Sequence, residues 1–173
     1  IIFIFMIKFK DLYFNLLENT NSKYVYRGVT SHGNQNLGTQ SRSVQDKLVA
    51  TLGPNYTDVQ QIAMIFKKGA GTGGKLIKKK LSGKVLELSN YNDVIHLYAK
   101  YKDQMTSGIV DDIKQSSGSE QLKHIQSAGN QLRNILKDKG YMWIKVPFAV
   151  SDASNFKRIL GMEGNILIDL SFS

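Results

Sequence analysis

Arg27 is the one cation in YVYRGVT, residues 24–30, a run otherwise apolar, aromatic and β-branched in the manner of a strand. Strand side chains alternate between faces, so Tyr24, Tyr26 and Gly28 share one side and Val25, Arg27 and Val29 the other. A guanidinium in line with two valines keeps its charge and needs phosphate, carboxylate or carbonyl oxygens for its donors. Two readings follow. Arg27 snorkels from an edge strand with its head in water, or it waits for an anionic ligand that Gly28, lacking a side chain, lets approach the backbone.

Other residues invite chemistry and support less of it. GAGTGGKL, residues 69–76, matches the first seven positions of a phosphate-binding P-loop, but Leu76 stands where a hydroxyl should hold magnesium. The preceding QQIAMIFKKG also has helical rather than strand periodicity, so this is read as a glycine- and lysine-rich surface loop able to touch phosphates without specificity. His32, His96 and His124 fit no metal-ligand spacing, and Asp111 and Asp112 are read as solvated neighbours in a loop. Tyr141, Trp143 and Phe148 belong to a sheet core or, beside the lysine-rich loop, to a base-stacking platform.

The elements that would position these residues follow from periodicity and punctuation. Residues 7–18 carry Phe9, Leu12, Tyr13, Leu16 and Leu17 at helical spacing, and the polar stretch 31–43 reads as a long loop. A short helix or strand around 44–52 precedes GPN, after which Thr57 or Asp58 caps a helix through Ile62, Ala63 and Phe66. The basic segment KLIKKKLSGK then leads to a strand over 84–89. A helix over 91–105 and a longer one over 119–139, stopped by Gly140, precede two closing strands at 141–150 and 165–172, with a loop carrying Asp152, Asn155 and Lys157 between them. Strands neither alternate strictly with helices nor run as hairpins, which favours an α+β domain on a small mixed sheet.

The chain of 173 residues fits a single domain, 1–173, with an N-terminal helical extension over 1–22 and a core over 23–173. Without cysteine it has neither disulfides nor thiolate chemistry. The apolar run 1–7 is too short for a bilayer and lacks the marks of a secretory signal, so a cytoplasmic location is expected, with residues 1–5 read as a short strand or as lying ahead of a natural start at Met6. The net charge of +9 favours anionic partners, and seven lysines, the first Lys67 and the last Lys84, occur without an intervening acid.

Five separated stretches occur in a telling order: YRG on an early strand, GPNYTD opening a helix, GKVLEL as a strand, a helix ending DKGYMWIKV, and EGNILIDLS at the close. This succession resembles the ADP-ribosyltransferase superfamily, in particular its small bacterial-toxin and phage-encoded members. The resemblance implies a split, bent β-sandwich with NAD between two small sheets. It makes Arg27 the anchor of a cofactor phosphate, Gly28 the backbone partner of the nicotinamide carboxamide, Thr57 with Tyr56 the cleft-lining second motif, and Glu163 the acid that stabilises the oxocarbenium-like ribose. Gly161 stands where members that modify arginine carry a further acid or amide, so the macromolecular acceptor, protein or nucleic acid, stays open. Two alternatives come from other classes: a noncatalytic basic module that binds nucleic acid or an acidic protein through the lysines from Lys67 to Lys84, and a virion structural or assembly component on the same fold.

Overall fold

A computed structural model describes residues 24–29, 43–69 and 73–172. The N-terminal helix expected over 7–18 and the long loop expected over 31–43 lie outside these residues or almost so. The protein is α+β, with one mixed sheet of six strands: β1 (Tyr24–Val29), β2 (Asn55–Thr57), β3 (Lys75–Lys80), β4 (Lys84–Glu87), β5 (Tyr141–Pro147) and β6 (Asn165–Asp169). Their order is β3-β1-β2-β6-β5-β4, antiparallel throughout except for the β4–β5 pair.

The two edge strands of this sheet are consecutive in sequence and joined only by Leu81, Ser82 and Gly83. Laid flat, six strands would separate the edges by about 24 Å, five gaps of roughly 4.8 Å. Four chain steps from Lys80 to Lys84 span at most about 14 Å. The sheet therefore curls until its edges meet at one end. Gly83 makes the connection possible: its φ is +88°, and a Cβ there would stand 2.6 Å from Met142 Cγ.

Inside the curl, Val25, Tyr56, Trp143 and Leu167 form a small buried core, with Leu81 and Val85 packed against it. Outside lies the larger core. The helices α1 (Val44–Thr51), α2 (Gln60–Gly69), α3 (Asp93–Lys100), α4 (Ile109–Gln115), α5 (Gly118–Asp138) and α6 (Val150–Leu160) flank the sheet and share a core with Ile144, Val146, Ile166 and Ile168 of β5 and β6. In α5 the buried Ile125, Ala128, Leu132 and Leu136 recur every three or four residues, which is why that helix is legible from sequence. Burial of each large aliphatic side chain contributes about 1.5–3 kcal/mol. Gly140 follows α5 at φ +83°, as expected of a residue just past a helix end.

Three expectations need correction. The basic segment is not merely a loop, because KLIKKK forms β3; an edge strand tolerates lysines that an inner strand would not. Asp111 and Asp112 lie in the first turn of α4, where carboxylates suit the positive helix end. Asp152, Asn155 and Lys157 belong to α6, a helix with a single buried residue, Phe156.

Gly28 sits under α2, where a Cβ would collide with the backbone at Ala63 and would stand 3.0 Å from Lys67 Cα. Backbone cannot yield as a side chain can. Gly28→Ala should lower unfolding stability by about 1–3 kcal/mol, the range for overpacking; urea denaturation checks it, and an unchanged midpoint would mean that α2 does not rest on this residue.

Candidate functional site

The register that sets Tyr26 opposite Thr57 places Arg27 beside Tyr56 on the inner face, with Ile77 and Leu167 continuing the row on either side. The guanidinium carbon lies 5.7 Å from the centroid of the Tyr56 ring, which itself meets Trp143 edge-on at 5.7 Å. Burial pushes the Arg27 pKa down, while Tyr56 and, more weakly, the Asp169 charge push it up. Arg27 is neither a freely hydrated edge residue nor a member of an ion pair among the described residues.

The carboxylate that acts on Arg27 belongs to Asp169. Asp169 is buried on the inner face and is held by Lys79, by the Ser171 backbone N–H at 3.0 Å and by the Ser171 hydroxyl at 2.6 Å. Lys79 comes from the edge strand β3, with β1 and β2 between it and β6. It passes the Trp143 ring at 5.3 Å to reach Asp169, and Trp143 in turn donates its Nε1–H to the Ser82 carbonyl at 2.9 Å. Ion pair and indole together tie edge strand β3 and the connection after it to the inner strands β6 and β5.

The remaining residues singled out in the sequence lie elsewhere. Gly28 faces α2, as described above. Thr57 is buried on the outer face, where its hydroxyl accepts the Val59 N–H at 3.2 Å and supports the entry to α2. Its neighbour Asp58 accepts hydrogen bonds from the Asn165 backbone and side chain at 2.7 and 2.6 Å, tying the end of β2 to the start of β6. Glu163 stands on the exposed turn before β6 and pairs with Lys157 at 2.8 Å, a contact that lowers the pKa of its carboxyl. The structure thus brings Arg27 and Tyr56 together and leaves Gly28, Thr57 and Glu163 out of their group.

A second constellation lies on the edge. On the outer face of β3, Lys78 holds its ammonium 4.1 Å from the Tyr24 ring centroid and 6.0 Å from that of Tyr26. Lys84, across the three-residue connection, lies 4.2 Å from the Tyr141 centroid. Lys75, Lys78, Lys80 and Lys84 are exposed, and no carboxylate among the described residues pairs with any of them. The glycine-rich segment feeding β3 is preceded by helix α2 rather than by a strand, the reverse of P-loop order.

An open hollow of about 340 Å³ between Lys102 and Asp111 contains none of these residues. Among the described residues no group of histidines and carboxylates could hold a metal ion, and no helix is long and apolar enough to cross a membrane. No family model, curated protein or solved structure matches the chain.

Sequence reading missed Asp169 and Lys79. The signal for Asp169 was present, a lone acid ending the apolar run NILID, whereas nothing marks Lys79 among its neighbouring lysines. Removing Lys79 leaves a buried carboxylate with the Ser171 hydrogen bonds and the weaker pull of the Arg27 charge to compensate it. Lys79→Ala should cost about 2 kcal/mol of stability, below the 3–5 of a fully buried pair because the Lys79 side chain is 39% exposed. Thermal melting of Lys79→Ala against Lys78→Ala checks this, and equal melting of the two would show that the pair does not clasp the sheet.

Proposed function

We propose that this protein binds nucleic acid, without sequence readout, through the lysine edge formed by β3 and the start of β4. The observation that carries the reading is the pair of ammonium groups, Lys78 and Lys84, held over tyrosine rings on a sheet edge where Lys75, Lys78, Lys80 and Lys84, unlike the inward-facing Lys79, have no carboxylate partner among the described residues. A lysine that ion-pairs at home has little to offer a phosphate. One resting on a ring keeps its charge available and its long stem ordered. The net charge of +9 adds long-range attraction, and the edge strand presents its cations in file. Edge lysines also discourage strand pairing between molecules, a role that would leave phosphate binding absent.

A second reading, the NAD-dependent ADP-ribosyltransferase, has one observation in its favour: a half-buried guanidinium beside Tyr56 with no ion pair among the described residues. It lacks an acid in the expected place, because Glu163 stands on an exposed turn and Asp169 is already engaged with Lys79. On this reading Arg27→Ala abolishes NAD binding; on the first it leaves nucleic-acid binding intact.

The test is fluorescence anisotropy with a labelled oligonucleotide over a range of salt. Wild-type affinity should fall steeply with salt. The triple variant Lys78→Ser/Lys80→Ser/Lys84→Ser should reduce the logarithmic salt slope by about 2, at roughly 0.7 per single-strand phosphate contact. Wild-type binding by the triple variant, or calorimetric NAD binding that depends on Arg27, would displace the nucleic-acid reading.

A further inference from the structure

The lysine-on-tyrosine arrangement does not end at Lys84. Tyr141, beneath Lys84, opens β5, and two residues earlier Lys139 caps α5 and places its ammonium 5.3 Å from the Tyr101 centroid. Lys100, at the end of α3, lies 5.4 Å from the same ring. Neither Lys100 nor Lys139 has an ion-pair partner among the described residues. Cations thus rest on three tyrosines: Tyr24 at the sheet edge, Tyr141 at the start of β5, and Tyr101 beside the ends of α3 and α5.

We infer that these sites form one continuous track, and that its occupant is a single nucleic-acid strand running from β3 across the seam to Tyr101. The inference rests on the nucleic-acid reading above and extends it in length and in partner. Lys78 and Lys80 lie on one face of β3, about 7 Å apart as alternate strand residues, a spacing that suits successive phosphates of an extended strand. An extended single strand calls for one such row of cations, whereas a duplex groove presents two phosphate rows that call for cations on both sides. Tyr24 is 40% exposed, which leaves ring surface free of Lys78 for a base to cover. Tyr101 is buried, so its role is to hold two lysines and not to stack.

Lysines at helix ends have an ordinary use as well, because cations suit the negative C-terminal end of a helix. That use changes stability and leaves binding alone, so the two are separable. The probes are labelled single strands of about 4 and about 12 nucleotides, within the usual range of site sizes, and a duplex of the longer length. Lys100→Ser/Lys139→Ser is compared with Lys78→Ser/Lys80→Ser, and Lys100→Arg/Lys139→Arg preserves charge should the serine variant melt early.

The far-end serine variant should bind the short strand as wild type does, lose roughly five- to tenfold in affinity for the longer one, and show a salt slope lower by about 1.4 on it, two contacts at 0.7 each. The arginine variant should retain the affinity. Wild-type binding of the longer strand by the far-end serine variant, with the edge variant weakened, would overturn the continuation and leave the edge reading standing. A duplex bound as tightly as the longer single strand would overturn the choice of occupant. Failure of the wild type to bind any of the three would overturn the nucleic-acid reading itself.

Discussion

A three-residue connection between the two edges of the sheet is the constraint on which the rest depends. Six strands cannot lie flat while Leu81, Ser82 and Gly83 bridge the ends of the first and last. The curl gives the sheet an interior, and that interior accommodates groups a flat sheet would leave wet. Val25, Trp143 and Leu167 are buried there, and a buried carboxylate on the inner strand β6 persists because a lysine from the edge strand β3 reaches it. The carboxylate alone would be costly, since taking a carboxylate out of water costs several kcal/mol unless it is paired and hydrogen-bonded. The hydroxyl and N–H of Ser171 provide the further bonds.

The same geometry divides the residues of the early strand between two tasks. Neighbouring positions on a strand face opposite ways, so Arg27 turns into the curl while Gly28 turns out against α2. Residues facing each other across β1 and β2 sum to a constant, as Tyr26 with Thr57 and Arg27 with Tyr56 do, which puts Arg27 and Thr57 on opposite faces. YRG and NILID were therefore correct as strand signals, GPNYTD was read as a turn and helix opening without the strand β2 it contains, and of the side chains singled out for a cofactor cleft only Arg27 and Tyr56 meet. Gly28 is required by a helix backbone passing over it, a packing reason that the sequence could not distinguish from room left for a ligand.

Long periodic elements were legible because their burial repeats. The five buried positions of α5 announce it, and Tyr98, Leu97 and Val94 announce α3. Elements with little burial were not. One buried side chain in α6 gives no period, and Ile109 with Ile113 is a single turn's worth of signal in α4. The strand β3 was hidden by its lysines, which only an edge position permits. As for the inner site, the question asked of Arg27, why a charge stands in an apolar strand, applied equally to Asp169. Its answer was a residue 90 positions away, and no local pattern encodes a partner at that distance.

The choice of lysine over arginine along the edge bears on what such a surface can recognise. A guanidinium presents a fixed fork that reads bidentate geometry, whereas an ammonium is a hydrated point charge that accepts phosphate from many directions. Resting that point charge on a ring restricts the stem while leaving the head accessible, so ordering entropy is partly spent before any ligand arrives. The one half-buried arginine of β1, by contrast, is turned away from the edge and set against Tyr56 inside the curl. The directional donor and the undirected charge thus lie on opposite faces of the same strand pair, with Lys78 outside and Arg27 inside. On the nucleic-acid reading proposed above, the opposite placement would put the fork among phosphates it need not discriminate.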